Sequence, residues 1–158
     1  SPTGGAIVLA CAVTLPGSLG SIRLASRDPR AMPIIRFNFF KDPSDLRRMM
    51  EAVRLSRRIG RTAPFSDMVE FEIAPGMDVQ DDATLEKAVI ALVDGYSHPT
   101  SSVPMGGPDD KGAVVDAKGA VRGASGLHVV DASIMPDIVS APTNVTTIMI
   151  AEAISRKL

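Results

Sequence analysis

Cysteine is nearly absent from this 158-residue chain: Cys11 stands alone. That excludes an internal disulfide and leaves no companion thiolates for a metal site. Cys11 lies in the apolar run Ala6 to Leu15, where it reads as a small buried hydrophobe. An excess of either charge is also lacking. A formal net charge of −1 offers no basic surface for nucleic acid and no polybasic tail for a membrane. No apolar run reaches the ~20 residues that a bilayer span requires. The start, Ser1-Pro2-Thr3-Gly4-Gly5, has neither a basic region nor an initiating Met, so no secretory leader is expected; a fragment, a processed chain or an excised domain fits it. A soluble protein is expected, and one cysteine is compatible with the cytosol. Missing, finally, is any Gly-x-Gly-x-x-Gly, the fingerprint of a strand–turn–helix that grips a dinucleotide.

What is present is an ordinary globular composition, 45% hydrophobic and 22% charged, at the size of one domain with room for a core. Residues 6–15, bounded by Gly4-Gly5 and Pro16-Gly17, predict a strand and a turn. Ser21 to Ser26 alternates as a half-buried strand should. After the turn at Asp28-Pro29-Arg30, Pro33 to Phe40 reads as another strand, close enough to pair antiparallel. Asp42-Pro43-Ser44-Asp45 is a helix start, with an acidic cap and proline in the first turn. Leu46, Met49, Met50, Val53 and Ile59 share its apolar face. Arg47, Arg48, Arg54, Arg57, Arg58 and Arg61 fall mostly on the other, read as a solvated face. A short strand is possible at Met68 to Ile73. Asp81-Asp82-Ala83-Thr84 caps a second helix with Leu85, Ala88, Val89 and Leu92 inward, ending by Gly95. Val114-Val115-Asp116 and Ala120-Val121-Arg122 suggest a hairpin, Leu127 to Val130 a short buried strand, and Asn144 to Ser155 a closing helix.

Three blocks in the last third carry the chemistry. They are His98-Pro99-Thr100-Ser101-Ser102-Val103-Pro104-Met105-Gly106, then Gly126-Leu127-His128-Val129-Val130-Asp131-Ala132-Ser133-Ile134-Met135-Pro136, then Pro142-Thr143-Asn144-Val145-Thr146-Thr147-Ile148-Met149-Ile150-Ala151-Glu152. In that order and at those separations they resemble the C-terminal part of the glucose–methanol–choline (GMC) flavoprotein oxidoreductases. Less specifically, Gly17 to Leu24, Asp28-Pro29, Pro33-Ile34-Ile35 and Asp42 to Leu46 resemble the region where that family's substrate sheet begins.

The resemblance implies a role for each block. His98 matches the histidine that faces the flavin and serves as base for the substrate hydroxyl, a duty suited to an imidazole that titrates near neutrality. Asn144 matches its partner position, where an amide orients the substrate oxygen without titrating; taken alone it reads as a helix N-cap, with Thr143 competing. A helix starting there turns free N–H groups and a positive dipole end toward the pyrimidine part of the flavin. Asp131-Ala132 matches a dipeptide lying against the cofactor, although Asp131 can simply cap the following turn. Thr143, Val145 and Thr146 are further cofactor contacts. The chain departs from the family where Ser101-Ser102 replaces the more usual Gly-Thr, setting a side chain close to the flavin. His128 reads as a surface or cofactor-edge residue, Met105 as packing, and Tyr96 as packing or pocket border. Asp81-Asp82 and Asp109-Asp110 lack histidine or cysteine companions, so no metal site is expected.

The expected fold is α+β. Residues 1–97 form a substrate-binding domain with an antiparallel sheet and flanking helices. Residues 98–158 form the catalytic loop and the return segment, whose strand and helix complete an FAD domain. The N-terminal FAD-binding region is expected as a partner supplied by the same enzyme. The expected activity is FAD-dependent oxidation of an alcohol to an aldehyde or ketone, with His98 as base and flavin N5 as hydride acceptor. A flavin-containing hydroxynitrile lyase and an inactive isolated fragment stay open. Substrate, oxygen reactivity and oligomeric state are not legible.

Overall fold

A computed structural model describes residues 5–158; the start Ser1 to Gly4 read above lies outside the described residues. The fold is α+β. In chain order it runs β1 (Ser21–Arg23), β2 (Ile34–Arg36), α1 (Pro43–Gly60), α2 (Phe65–Met68), α3 (Asp82–Leu92), a 3-10 turn (Ala132–Ile134) and α4 (Thr143–Ser155). Two compact units emerge. One takes the chain up to Gly20 together with Phe37–Asp94, the other Ser21–Arg36 and Gly95–Leu158.

The first unit is helical. The Asp42 side chain accepts from the Ser44 N–H at 2.8 Å, with Pro43 opening α1. The Asp81 carboxylate accepts from the Thr84 N–H at 3.0 Å and starts α3. Short acidic side chains satisfy donors that the first helical turn leaves open, which is why both starts were readable. Met50, Leu85 and Val89 form the buried centre, with Leu46, Met49, Val53 and Val79 packed on it. Ile59 departs from the expected apolar face and is exposed. The arginine face is not uniformly solvated either. Arg57 keeps only 12% of its side chain exposed in a pair with Glu72 at 2.9 Å, and Arg54 reaches Glu51 and Asp82. These guanidiniums tie α1 to the segments around it.

Two expected strands of this unit do not form. Residues 6–15 run without any ladder partner, and Val8 is largely exposed. Residues 69–72 are irregular after α2. Apolar composition marks a segment as fit for a sheet, but a strand exists only when a neighbour takes its N–H and C=O groups.

In the second unit β1 and β2 pair antiparallel, Ile22 opposite Ile35. All six of their residues are exposed, so β1 is not the half-buried strand expected. The core lies farther on, with Val115, Ile134, Met135, Ile150 and Ile154 buried and Val103, Met105, Val121 and Val129 around them. The hairpin is present in reduced form. Its turn is closed by Asp116, which accepts from the N–H groups of Lys118 at 2.8 Å and Ala120 at 3.0 Å; these two bonds, chiefly, hold its carboxyl below the usual range. Gly119 has φ +73° there, and a Cβ on it would lie 2.6 Å from the Val129 carbonyl oxygen, so glycine is required. Val115 and Val121 then make a single antiparallel bridge. The expected strand Leu127 to Val130 reduces to one bridge, His128 to Ala120, and Leu127 is 52% exposed. Only Val129 and Val130 turn inward, packed against the core.

Candidate active site

The second unit brings the three blocks together. The N–H groups of Ser101, Val103 and Met105 donate to the carbonyls of Ala132, Ser133 and Ile134 at 3.4, 2.9 and 2.8 Å. The first block is thereby laid along the second. Ile134 and Met135 of the second block share a core with Ile150 and Ile154 of the third. Arg122 donates to the backbone oxygens of Gly106, Gly107 and Asp110 and pins the loop that ends the first block.

His98 is half-buried in an irregular segment before the first of these bonds. Its Nδ1 lies 3.1 Å from the Ser97 carbonyl oxygen and 3.3 Å from the Thr143 hydroxyl. The Tyr96 ring meets the imidazole edge to face, centroids 4.7 Å apart and planes at 84°. No hydrogen bond to Nε2 occurs among the described residues. The ring is thus held at one nitrogen and on one edge. Ser97, with φ +59°, and Ser101, with φ +64°, both sit in the left-handed region. Such a conformation at Ser101 gives a backbone reason for the glycine more usual in the family.

The start of α4 corrects one expectation. Pro142, not Asn144 or Thr143, holds the N-cap position, and no side chain caps the first turn. Proline's fixed φ pre-sets the chain for the helix, leaving Thr143 at the first helical position and Asn144 at the second. Thr143 is buried at 7% exposure, while Asn144 and Val145 are exposed and Thr146 is half-buried. The first-turn N–H groups therefore stand without a side-chain acceptor. This suits an electron-rich ring edge such as the expected flavin's.

Asp131 does cap the turn after it, accepting from the Ser133 N–H at 2.8 Å and from the Ser133 hydroxyl. Ala132 is half-buried against the core. His128 is exposed, and Met105 packs on the core. The contact that sequence reasoning missed joins His98 to Thr143. Forty-five positions separate them, and no local pattern announces such a pairing; the one available hint was a small hydroxyl residue beside the helix start.

Two hollows among the described residues, of about 470 and 190 Å³, are lined by residues of the first unit, not by His98 or Asn144. No cluster of three or more His, Cys, Asp or Glu side chains able to hold a metal ion occurs among the described residues. No helix among them is long and apolar enough to cross a membrane.

Comparison with known proteins places the chain among relatives of one family. The family model described as GMC oxidoreductase matches residues 16–151. Oxygen-dependent choline dehydrogenase 1 of Chromohalobacter salexigens is 43% identical over 141 residues, covering 89% of this chain and 25% of that protein. Among solved structures, pyridoxine 4-oxidase from Mesorbium loti superposes with a TM-score of 0.81 at 31% identity, over 91% of this chain and 28% of that one. An FAD-dependent oxidoreductase from Chaetomium thermophilum gives 0.77 at 26% identity, over 87% and 24%. The chain thus spans about a quarter of the length of the curated relatives it matches.

Proposed function

The chain belongs to the GMC oxidoreductase family, and from that membership we propose that it forms the substrate-side part of an enzyme oxidising an alcohol to an aldehyde or ketone. Residues 1–97 serve as the substrate-binding part and residues 98–158 as the catalytic loop and return segment. An FAD-binding portion N-terminal to them in the complete protein is the partner. FAD, when bound, supplies the hydride acceptor. His98 takes the hydroxyl proton on its free ring nitrogen, and Asn144 orients the substrate oxygen from the second position of α4. The uncapped first turn of α4, with Thr143, Asn144, Val145 and Thr146, receives the electron-rich edge of the flavin, and Asp131-Ala132 lies against its ribityl–phosphate side.

The observation that carries this reading is the restraint of His98. Its ring is fixed at Nδ1 and on one edge beside the start of α4, leaving Nε2 able to act on a substrate. Positioning of this kind supplies much of the rate in proton abstraction from an alcohol. The choline dehydrogenases among the relatives make choline the first alcohol to try. The test is anaerobic mixing of the complete, flavin-loaded protein with choline and a panel of other small primary and secondary alcohols. Bleaching of the flavin band by at least one alcohol is expected. A band that none of them alters would point to a non-redox, lyase-type use of the flavin.

A further inference from the structure

We propose that Thr143 is a positioning residue that, together with the Ser97 carbonyl, holds the ring proton of His98 on Nδ1 and leaves the lone pair on Nε2. The assignment follows from valence. A backbone carbonyl oxygen only accepts, so the 3.1 Å approach of the Ser97 oxygen to Nδ1 requires a proton on that nitrogen. With the proton there, the Thr143 hydroxyl at 3.3 Å can meet Nδ1 only as an acceptor. The one N–H is shared between two oxygens in a three-centre bond. A neutral imidazole has a single ring proton, which leaves Nε2 as the acceptor.

Of the two oxygens, Thr143 is the anchor. Ser97 is the adjacent residue, and its carbonyl moves with the same irregular segment as the ring. Thr143 comes from 45 positions away, is buried, and rides on a helix whose Ile150 and Ile154 are fixed in the core. Its hydroxyl therefore ties the imidazole to a helix anchored in the core of this unit. Tyr96 blocks rotation on one edge. The catalytic meaning of the tautomer rests on the reading of His98 as base. The substrate O–H bond breaks as the Nε2–H bond forms, and the resulting imidazolium keeps its Nδ1–H between the two oxygens already in place. No ring flip is needed before or after the transfer.

Long-range proton–nitrogen correlation of the ¹⁵N-labelled 158-residue chain, above the titration of its imidazoles, reads the tautomer directly. A His128→Gln variant separates the second histidine. Wild type is expected to show Nδ1 as the protonated nitrogen and Nε2 as the bare one. Thr143→Val, which removes one of the two acceptors and keeps the shape, is expected to raise the Nε2–H fraction above the wild-type value while the Ser97 carbonyl remains in place, and Thr143→Ser to restore the wild-type fraction. An Nε2–H majority in wild type overturns the proposal, as does a Thr143→Val spectrum unchanged from it. If the valine variant does not fold, Thr143→Ala, which also removes the hydroxyl, is read in its place against the same expectation. The readout needs neither flavin nor turnover. A wrong tautomer alongside His98-dependent flavin reduction refutes this proposal alone, and a correct one beside His98-independent reduction refutes the functional reading alone.

Discussion

Removing the Asp45 carboxylate is expected to cost about 2–4 kcal/mol of stability at neutral pH, a figure that follows from its bonding. Asp45 is 3% exposed in the first turn of α1. It accepts from the Gly17 N–H at 2.9 Å and the Ser18 N–H at 2.8 Å, with the Arg48 guanidinium at 3.6 Å. Hydrogen bonds to an ionised acceptor contribute roughly 1.5–3 kcal/mol each, and part of the sum is offset by desolvating the charge. Burial pushes its pKa up, but the Ser18 hydroxyl, the two amides and Arg48 together outweigh that and hold it below the ordinary 3.8. A depressed folded-state pKa fixes the sign: the stabilisation is complete above the unfolded value and is lost as pH falls through the lower folded one. Urea unfolding of wild type and Asp45→Ala, followed by circular dichroism from pH 7 to 2.5, measures both quantities. The gap between them should be flat from pH 7 to about 5 and then close on acidification. A gap under about 0.5 kcal/mol at pH 7, or one that stays constant into acid, refutes the reasoning.

Other perturbations probe the second unit. Gly119→Ala should lose roughly 1–2 kcal/mol for the left-handed backbone alone and more for the contact with the Val129 oxygen, read as a lower urea midpoint. Ile134→Ala, at a fully buried core position, should lose about 2–5 kcal/mol in the same assay, and an unchanged midpoint would show that this core does not hold the unit. Ser101→Gly should be neutral to stabilising, up to about 1 kcal/mol. Relief of the left-handed conformation there is partly offset by glycine's greater freedom when unfolded, and a loss beyond that would show that the Ser101 hydroxyl matters more than its backbone.

Local chemistry was the legible part of this chain. Asp42 and Asp81 mark helix starts because capping is an interaction between near neighbours, and Asp116 with Gly119 marks a turn for the same reason. The pairing of β1 with β2 was legible because a short connection brings the two segments together. Residues 6–15 and 68–73 read as strands from composition, but pairing depends on a partner that composition does not name. At α4 the cap was misread because Asn144 is a good capping residue in general, while Pro142 already fixes the entry of the chain. Similarity to a family drew attention to His98 and Asn144, and to Thr143 only as a cofactor contact; it carried no word of a contact between Thr143 and His98. A side-chain contact across 45 positions becomes visible only when a loop and a helix start are seen side by side.

The most direct test of the account compares His98→Gln with wild type in the complete, flavin-loaded protein, by stopped-flow anaerobic reduction with an alcohol that bleaches the wild-type flavin. Loss of a positioned base predicts reduction slower by about 10²–10⁴-fold with the flavin content and absorption band unchanged. Reduction at the wild-type rate would contradict the assignment of His98 as the base.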